Sequence, residues 1–212
     1  MRRALIQVHV VHTPEDMGSL AQRLSVDKTH SQLAEARWSD IREQVQALSV
    51  NWSEVKVYQD GLPDAEPEII RRVLTEVHSA NYDLLRWLIA QGAEVIGTES
   101  PALMTEEYAH LRAVLTAKDA ATKARARQAY VECAAALLAK RDAYIARRIA
   151  ETLSPDGLGL LFIGQAHDVA KHLPSDIKVR EIPFSRVTAA AEDAQNTETL
   201  DEIHGDNDVS DE

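Results

Sequence analysis

The stretch Leu158-Gly159-Leu160-Leu161-Phe162-Ile163-Gly164-Gln165-Ala166-His167 decides the fold. Its first six residues have the length and apolar content of a buried strand, and Gly164 then lets the chain turn tightly toward a histidine. A matching run, Ala4-Leu5-Ile6-Gln7-Val8-His9-Val10-Val11, leads into His12-Thr13-Pro14 about 150 residues upstream. Both runs are followed by helix-start chemistry. In an open α/β sheet the residues just beyond the carboxyl ends of the strands line the crevice where ligands bind. A histidine at two such ends therefore points to a polar site assembled from distant parts of the chain.

Between these runs, strand and helix patterns alternate. Residues 4–11 form the first predicted strand. A helix is expected from Asp16 through Leu24, then one over 31–48, where Leu33, Trp38, Ile41, Val45 and Leu48 make one apolar face. Residues 55–58 read as a second strand ending in the turn signal Gln59-Asp60-Gly61-Leu62-Pro63. Helices over 67–79 and 82–91 follow, with Pro67 suited to a first turn and Gly92 to a C′ position. A third strand covers 93–97 and helices cover 102–115 and 120–153, the last stopped by Pro155 and Gly157. Residues 158–163 are the fourth strand, 168–172 a short helix and 177–182 the last strand. Strands separated by helices imply parallel pairing with crossover helices. The expected class is a layered, helix-rich α/β fold on a small, mainly parallel sheet.

Charge divides the chain in two. Residues 191–212 hold nine acids and no Lys or Arg, so removing them from the net charge of −11 leaves −2 on residues 1–190. A single α/β domain over 1–188 and a disordered acidic C-terminal tail over 189–212 follow from that composition. Cys133, the only cysteine of the 212 residues, sits in an alanine-rich helical stretch and reads as a small core residue. The basic start Met1-Arg2-Arg3 precedes an apolar run broken by Gln7 and His9, which is not the pattern of a signal peptide. No stretch approaches the ~18 apolar residues of a membrane span. A near-neutral body without a basic–aromatic surface argues against nucleic acid. Gly157-Leu158-Gly159 is neither a phosphate loop nor a dinucleotide fingerprint, and no Gly-x-Ser-x-Gly elbow occurs. The expectation is a cytoplasmic protein without membrane or nucleic-acid partners.

Four strand ends carry polar groups: His12, Asp60, Glu99 and His167, with His9 one short interval before His12. Two imidazoles and two carboxylates on one sheet edge suit a divalent metal such as zinc, manganese or cobalt, and His9, His12, Asp60 and His167 are the candidate ligands. The same groups suit metal-free work in which a carboxylate orients a histidine base. Each also has an ordinary structural use. His9 fits a hydrogen-bonded core histidine, Asp60-Gly61 fits a turn, and Ser100-Pro101 after Glu99 fits a helix start. Arg141, in the long helix before the fourth strand, has the planar fork that holds a substrate anion or positions an acid, or pairs with an acid at the surface.

The order of these parts resembles the TraB/GumN–ChaN–Tiki–erythromycin-esterase superfamily. Its members carry two Gly-x-x-His motifs with acids and an Arg between them. Gly164-Gln165-Ala166-His167 matches the second motif, and Arg141-Asp142-Ala143-Tyr144-Ile145-Ala146-Arg147-Arg148-Ile149 matches the Arg helix. In the first motif His9-Val10-Val11-His12 places His where the family has Gly. The resemblance spans residues 4–182, with Asp60 and Glu99 aligned to the family's acids by strand order. It implies a hydrolase, since Tiki members look like metal-dependent proteases and erythromycin esterases use a His to activate water.

The expected activity is hydrolysis of a small-molecule or peptide substrate. His12 and His167 would bind a divalent metal or activate water, Asp60 and Glu99 would serve as ligands or bases, and Arg141 would steady developing charge. The catalytic set is His12, Glu99, Arg141 and His167. Two other classes fit the same residues. One is a non-catalytic ligand-binding or regulatory module. The other is a self-associating structural protein, a homo-oligomer joined through the 120–153 helix.

Overall fold

A computed structural model describes residues 2–10 and 28–182, without the side chains of 28–33. The helix expected near Asp16, His12 and the acidic tail with its boundary at 188 lie outside the described residues. Within them the chain runs β1 (Arg3–Val10), α1 (Lys28–Gln46), β2 (Val55–Pro63), α2 (Pro67–Glu76), α3 (Ala80–Ala90), β3 (Glu94–Glu99), α4 (Pro101–Leu115), α5 (Ala120–Thr152), β4 (Leu158–Gly164) and β5 (Ile177–Glu181). Single 3₁₀ turns precede β2 and β5. The five strands form one sheet in the order β3-β2-β4-β1-β5, and every pairing is parallel. The fold is the layered α/β class that the strand–helix alternation predicts.

Alternation along the strands sorts the core into two layers. Val8 and Val10 of β1, Val55 and Val57 of β2, and Leu160 and Phe162 of β4 pack with Trp38, Ile41 and Val45 of α1 and Leu84, Leu85 and Leu88 of α3. Leu5, Tyr58, Leu161 and Ile163 point the other way, onto Ile145, Ala146 and Ile149 of α5. Tyr58 hydrogen-bonds Thr152 on that side at 3.1 Å, and burial pushes its phenol up to about 12. Helices α1–α3 thus cover one face and α5 the other.

The long helix has two halves. From Leu137 onward α5 has a buried stripe against the sheet (Leu137, Asp142, Ile145, Ala146, Ile149), whereas no residue before Leu137 is buried. That first half lies beside α4, which itself has no buried residue. No helix among the described residues is long and apolar enough to cross a membrane.

The second strand differs from its sequence-based expectation. Gln59–Pro63 reads as a turn, but the strand continues to Pro63 through a bulge. Gln59 pairs with Gly97 and Pro63 with Glu99, so β2 spends two more residues than β3 over the same interval. Gly61, at φ +69°, absorbs the left-handed step, and Thr98 Oγ1 donates to the Gln59 carbonyl at 2.6 Å where the ladder breaks. The bulged strand presses on β3: a Cβ at Gly97 would sit 1.9 Å from the Pro63 carbonyl oxygen. At Gly159 a Cβ would first meet the side chains of Leu5 and Tyr58, at 2.8 and 3.0 Å.

Gly97→Ala should therefore lower stability by about 2–3 kcal/mol and Gly159→Ala by about 1 kcal/mol, because backbone cannot give way as a side chain can. Urea unfolding midpoints of the two variants check the order.

Candidate functional site at the carboxyl edge of the sheet

All five strands point the same way, so their carboxyl ends share one edge. The helices that follow β1 and β2 lie on the α1–α3 face, while the 3₁₀ turn that follows β4 packs on α5. Strand β4 lies between β1 and β2, whose next helices lie on the opposite face. Such a switch opens a crevice at the strand end. His167 follows β4 at that point.

His167 is held from one side by an acid of α5. Its Nδ1 lies 2.5 Å from Asp142 Oδ1, and Asp142 Oδ2 accepts the backbone N–H of Asp168 at 2.9 Å. A carboxylate has no proton to give, so the ring donates from Nδ1, and in the neutral form of the ring Nε2 carries no hydrogen. Nε2 faces Asp60 Oδ2 at 3.8 Å, too far for a hydrogen bond and close enough for one bound atom to touch both. Asp60 lies inside the β2 bulge and is 2% exposed. Its Oδ2 accepts the Gly164 N–H at 2.7 Å and its Oδ1 accepts from Gln59 Nε2 at 3.1 Å. Asp60 therefore ties the end of β2 to the end of β4 and presents charge to His167.

A second charged group adjoins the first. Glu99, the last residue of β3, is fully buried and accepts from Arg141, whose Nη2 lies 2.5 Å from Oε1 and whose Nε is 3.2 Å from each carboxylate oxygen. Arg141 Nη1 donates to Glu107 of α4 at 2.6 Å. Burial opposes the guanidinium charge, yet the bonds and charge of Glu99, with Glu107 and Asp60, hold its pKa above the ordinary value. Nearby, Asp64 accepts from Tyr144 at 2.8 Å and pairs with Arg148 at 2.8 Å, and its N–H donates to the Glu99 carbonyl at 2.7 Å.

The structure thus brings Asp60, Glu99, Arg141 and His167 to one edge. Two of these differ in detail from the sequence-based picture, since Asp60 and Glu99 lie within their strands rather than after them. Arg141 faces inward and is engaged by two carboxylates, an organising position rather than one open to a substrate anion. His9 sits on β1 with Nε2 3.1 Å from Gln7 Nε2 and 3.7 Å from Glu181, toward β5. Among the described residues no group of three or more His, Cys, Asp or Glu side chains is placed to hold a metal ion. His167 and Asp60 offer one nitrogen and one oxygen, and Glu99 is already charge-paired with Arg141.

The residue that sequence reasoning overlooked is Asp142. Its signal was present: with Ile145, Ala146 and Ile149 it falls at helical spacing on the buried stripe of α5, where an acid needs a partner. Comparison with known proteins finds no matching family model, no matching curated protein and no matching solved structure.

Removing one partner of the Glu99–Arg141 pair strands a buried charge. Arg141→Met should cost about 3–5 kcal/mol, and the double variant Arg141→Met, Glu99→Leu should recover more than half of that loss. A double-mutant cycle by urea unfolding reads the difference.

Proposed function

We propose that this protein is a hydrolase whose general base is His167. The observation that carries the proposal is the buried Asp142–His167 pair at the end of β4, with Nε2 3.8 Å from Asp60 Oδ2. The resemblance of Arg141–Ile149 and Gly164–His167 to the Arg helix and second Gly-x-x-His motif of the TraB/GumN–ChaN–Tiki–erythromycin-esterase superfamily supports the same reaction class.

In this reading, water in the crevice gives a proton to His167 Nε2 as its oxygen attacks an acyl carbon. Asp142 steadies the imidazolium that forms and keeps the ring in the Nδ1–H tautomer. The bond from the acyl carbon to the leaving oxygen or nitrogen then breaks, and His167 returns the proton to that atom. Asp60, facing Nε2, orients the attacking water and disfavours loss of the proton to bulk solvent. Glu99 and Arg141 are positioning residues that join β3, α4 and α5 behind the base. A divalent metal remains part of the proposal only as an addition at His167 and Asp60, and no step above depends on it.

A panel of activated esters and acyl-peptides, assayed with chelator and with added zinc, manganese or cobalt, tests the reading. His167→Asn should reduce kcat/KM by about 10²–10⁴-fold and Asp142→Asn by about 10²-fold or more, with the fold retained by circular dichroism. Turnover unaffected by His167→Asn would remove His167 as the base.

A further inference from the structure

On the other side of the same edge lies a polar group that neither the fold nor the proposed chemistry uses. Asn81 is 1% exposed, and neither its Nδ2 nor its Oδ1 has a hydrogen-bond partner. It shares the buried stripe of α3 with Leu84, Leu85 and Leu88, so it faces inward. Helix α3 ends beside the amino edge, where Trp87 meets Trp52 edge-on at 5.8 Å, and its N-terminus therefore faces the carboxyl edge. Side chains on a helix lean toward its N-terminus. An inward residue in the first turn thus leans its side chain toward the mouth of α3.

Among the described residues that mouth is also short of acceptors. Ser79 caps α3 by accepting the Tyr82 N–H on Oγ at 3.3 Å and the Asp83 N–H on its carbonyl at 2.9 Å. Among the described residues, the N–H groups of Ala80 and Asn81 in the first turn meet no backbone acceptor. Their partial charge favours an anion. Arg37 adds a buried cation on the same face and at the same edge: it is 2% exposed, lies on the inward stripe of α1 with Trp38 and Ile41, and donates to the His9 carbonyl at the end of β1.

A buried amide with both ends unmet costs stability unless something completes it. We infer that the N-terminus of α3, with Asn81, is a binding subsite for a carboxylate that carries an adjacent hydrogen-bond donor. The carboxylate would take the Ala80 and Asn81 N–H groups and Asn81 Nδ2, and the neighbouring N–H or O–H would donate to Asn81 Oδ1. The end of a peptide and a 2-hydroxy acid share that chemistry. The inference rests on reading the carboxyl edge as the functional site, but binding here needs no proton transfer at His167.

Thermal unfolding with N-acetylglycine, glycolate or acetate tests it. A saturable rise in Tm is expected with N-acetylglycine or glycolate and a smaller one with acetate, which lacks the donor. N-acetylglycine alone acting would assign a peptide end, and glycolate alone a hydroxy acid. Asn81→Leu should raise the ligand-free Tm by about 2–6 °C, since it removes two unmet polar groups, and abolish the ligand shift. Asn81→Ala, which also removes the amide, gives the same test of the ligand shift if the Leu variant does not fold. The shift should persist in His167→Asn, which separates failure of the subsite from failure of the hydrolase reading. No shift in the wild type, as when buried water alone meets Asn81, or an equal shift in Asn81→Leu, overturns the inference.

Discussion

The carboxylate of Asp60, accepting the N–H of Gly164 at 2.7 Å, is the constraint on which the site depends. The backbone ladder between β2 and β4 ends at Gln59 and Phe162, and beyond it a side chain takes over the role of the missing carbonyl. That substitution is possible only because β2 bulges, and the bulge is possible only because Gly61 takes a positive φ and Gly97 leaves room for Pro63. One hydrogen bond thus links the geometry of three strand ends. It also sets where β4 stops, and so where His167 begins its turn toward Asp142.

The edge concentrates buried charge at an energetic cost. Asp60, Glu99 and Asp142 are all at least nine-tenths buried, and Arg141 is the cation most directly set among them. A hydrophobic set of similar volume would serve stability as well or better. The arrangement makes sense as a fixed field around one titratable ring, in which each acid is already committed to a backbone N–H or a guanidinium before any ligand arrives. Pre-set dipoles need no rearrangement at the moment of proton transfer.

How far this was legible in the sequence follows from which physical signals are local. The strand runs at 4–11 and 158–163, and the helix stops at Pro155 and Gly157, are one-dimensional signals, and the parallel sheet follows from them. Placing Asp60, Glu99 and His167 at one edge required only that parallelism. The bulge was not legible, because Asp60-Gly61 carries the same turn chemistry whether the chain leaves the sheet or steps within it. Arg141 was legible as a candidate but not in its role, since its partners Glu99 and Glu107 lie 42 and 34 residues away. Asp142 was hidden by the neighbouring Arg, and Asn81 by its ordinary helix-start surroundings. Both stand out once burial is known.

The two halves of α5 bear on why the base sits where it does. Its 33 residues span about 50 Å, longer than the sheet needs. Leu137 is where the helix leaves α4 as its main neighbour and meets the strands, and Arg141 and Asp142 fall on the next turn. Arg141 then reaches back to Glu107 on α4 and sideways to Glu99 on β3, while Asp142 reaches forward to His167. Adjacent residues on one rigid helix thus divide the work, one bracing the α4–α5 pair against the sheet and the other orienting the imidazole.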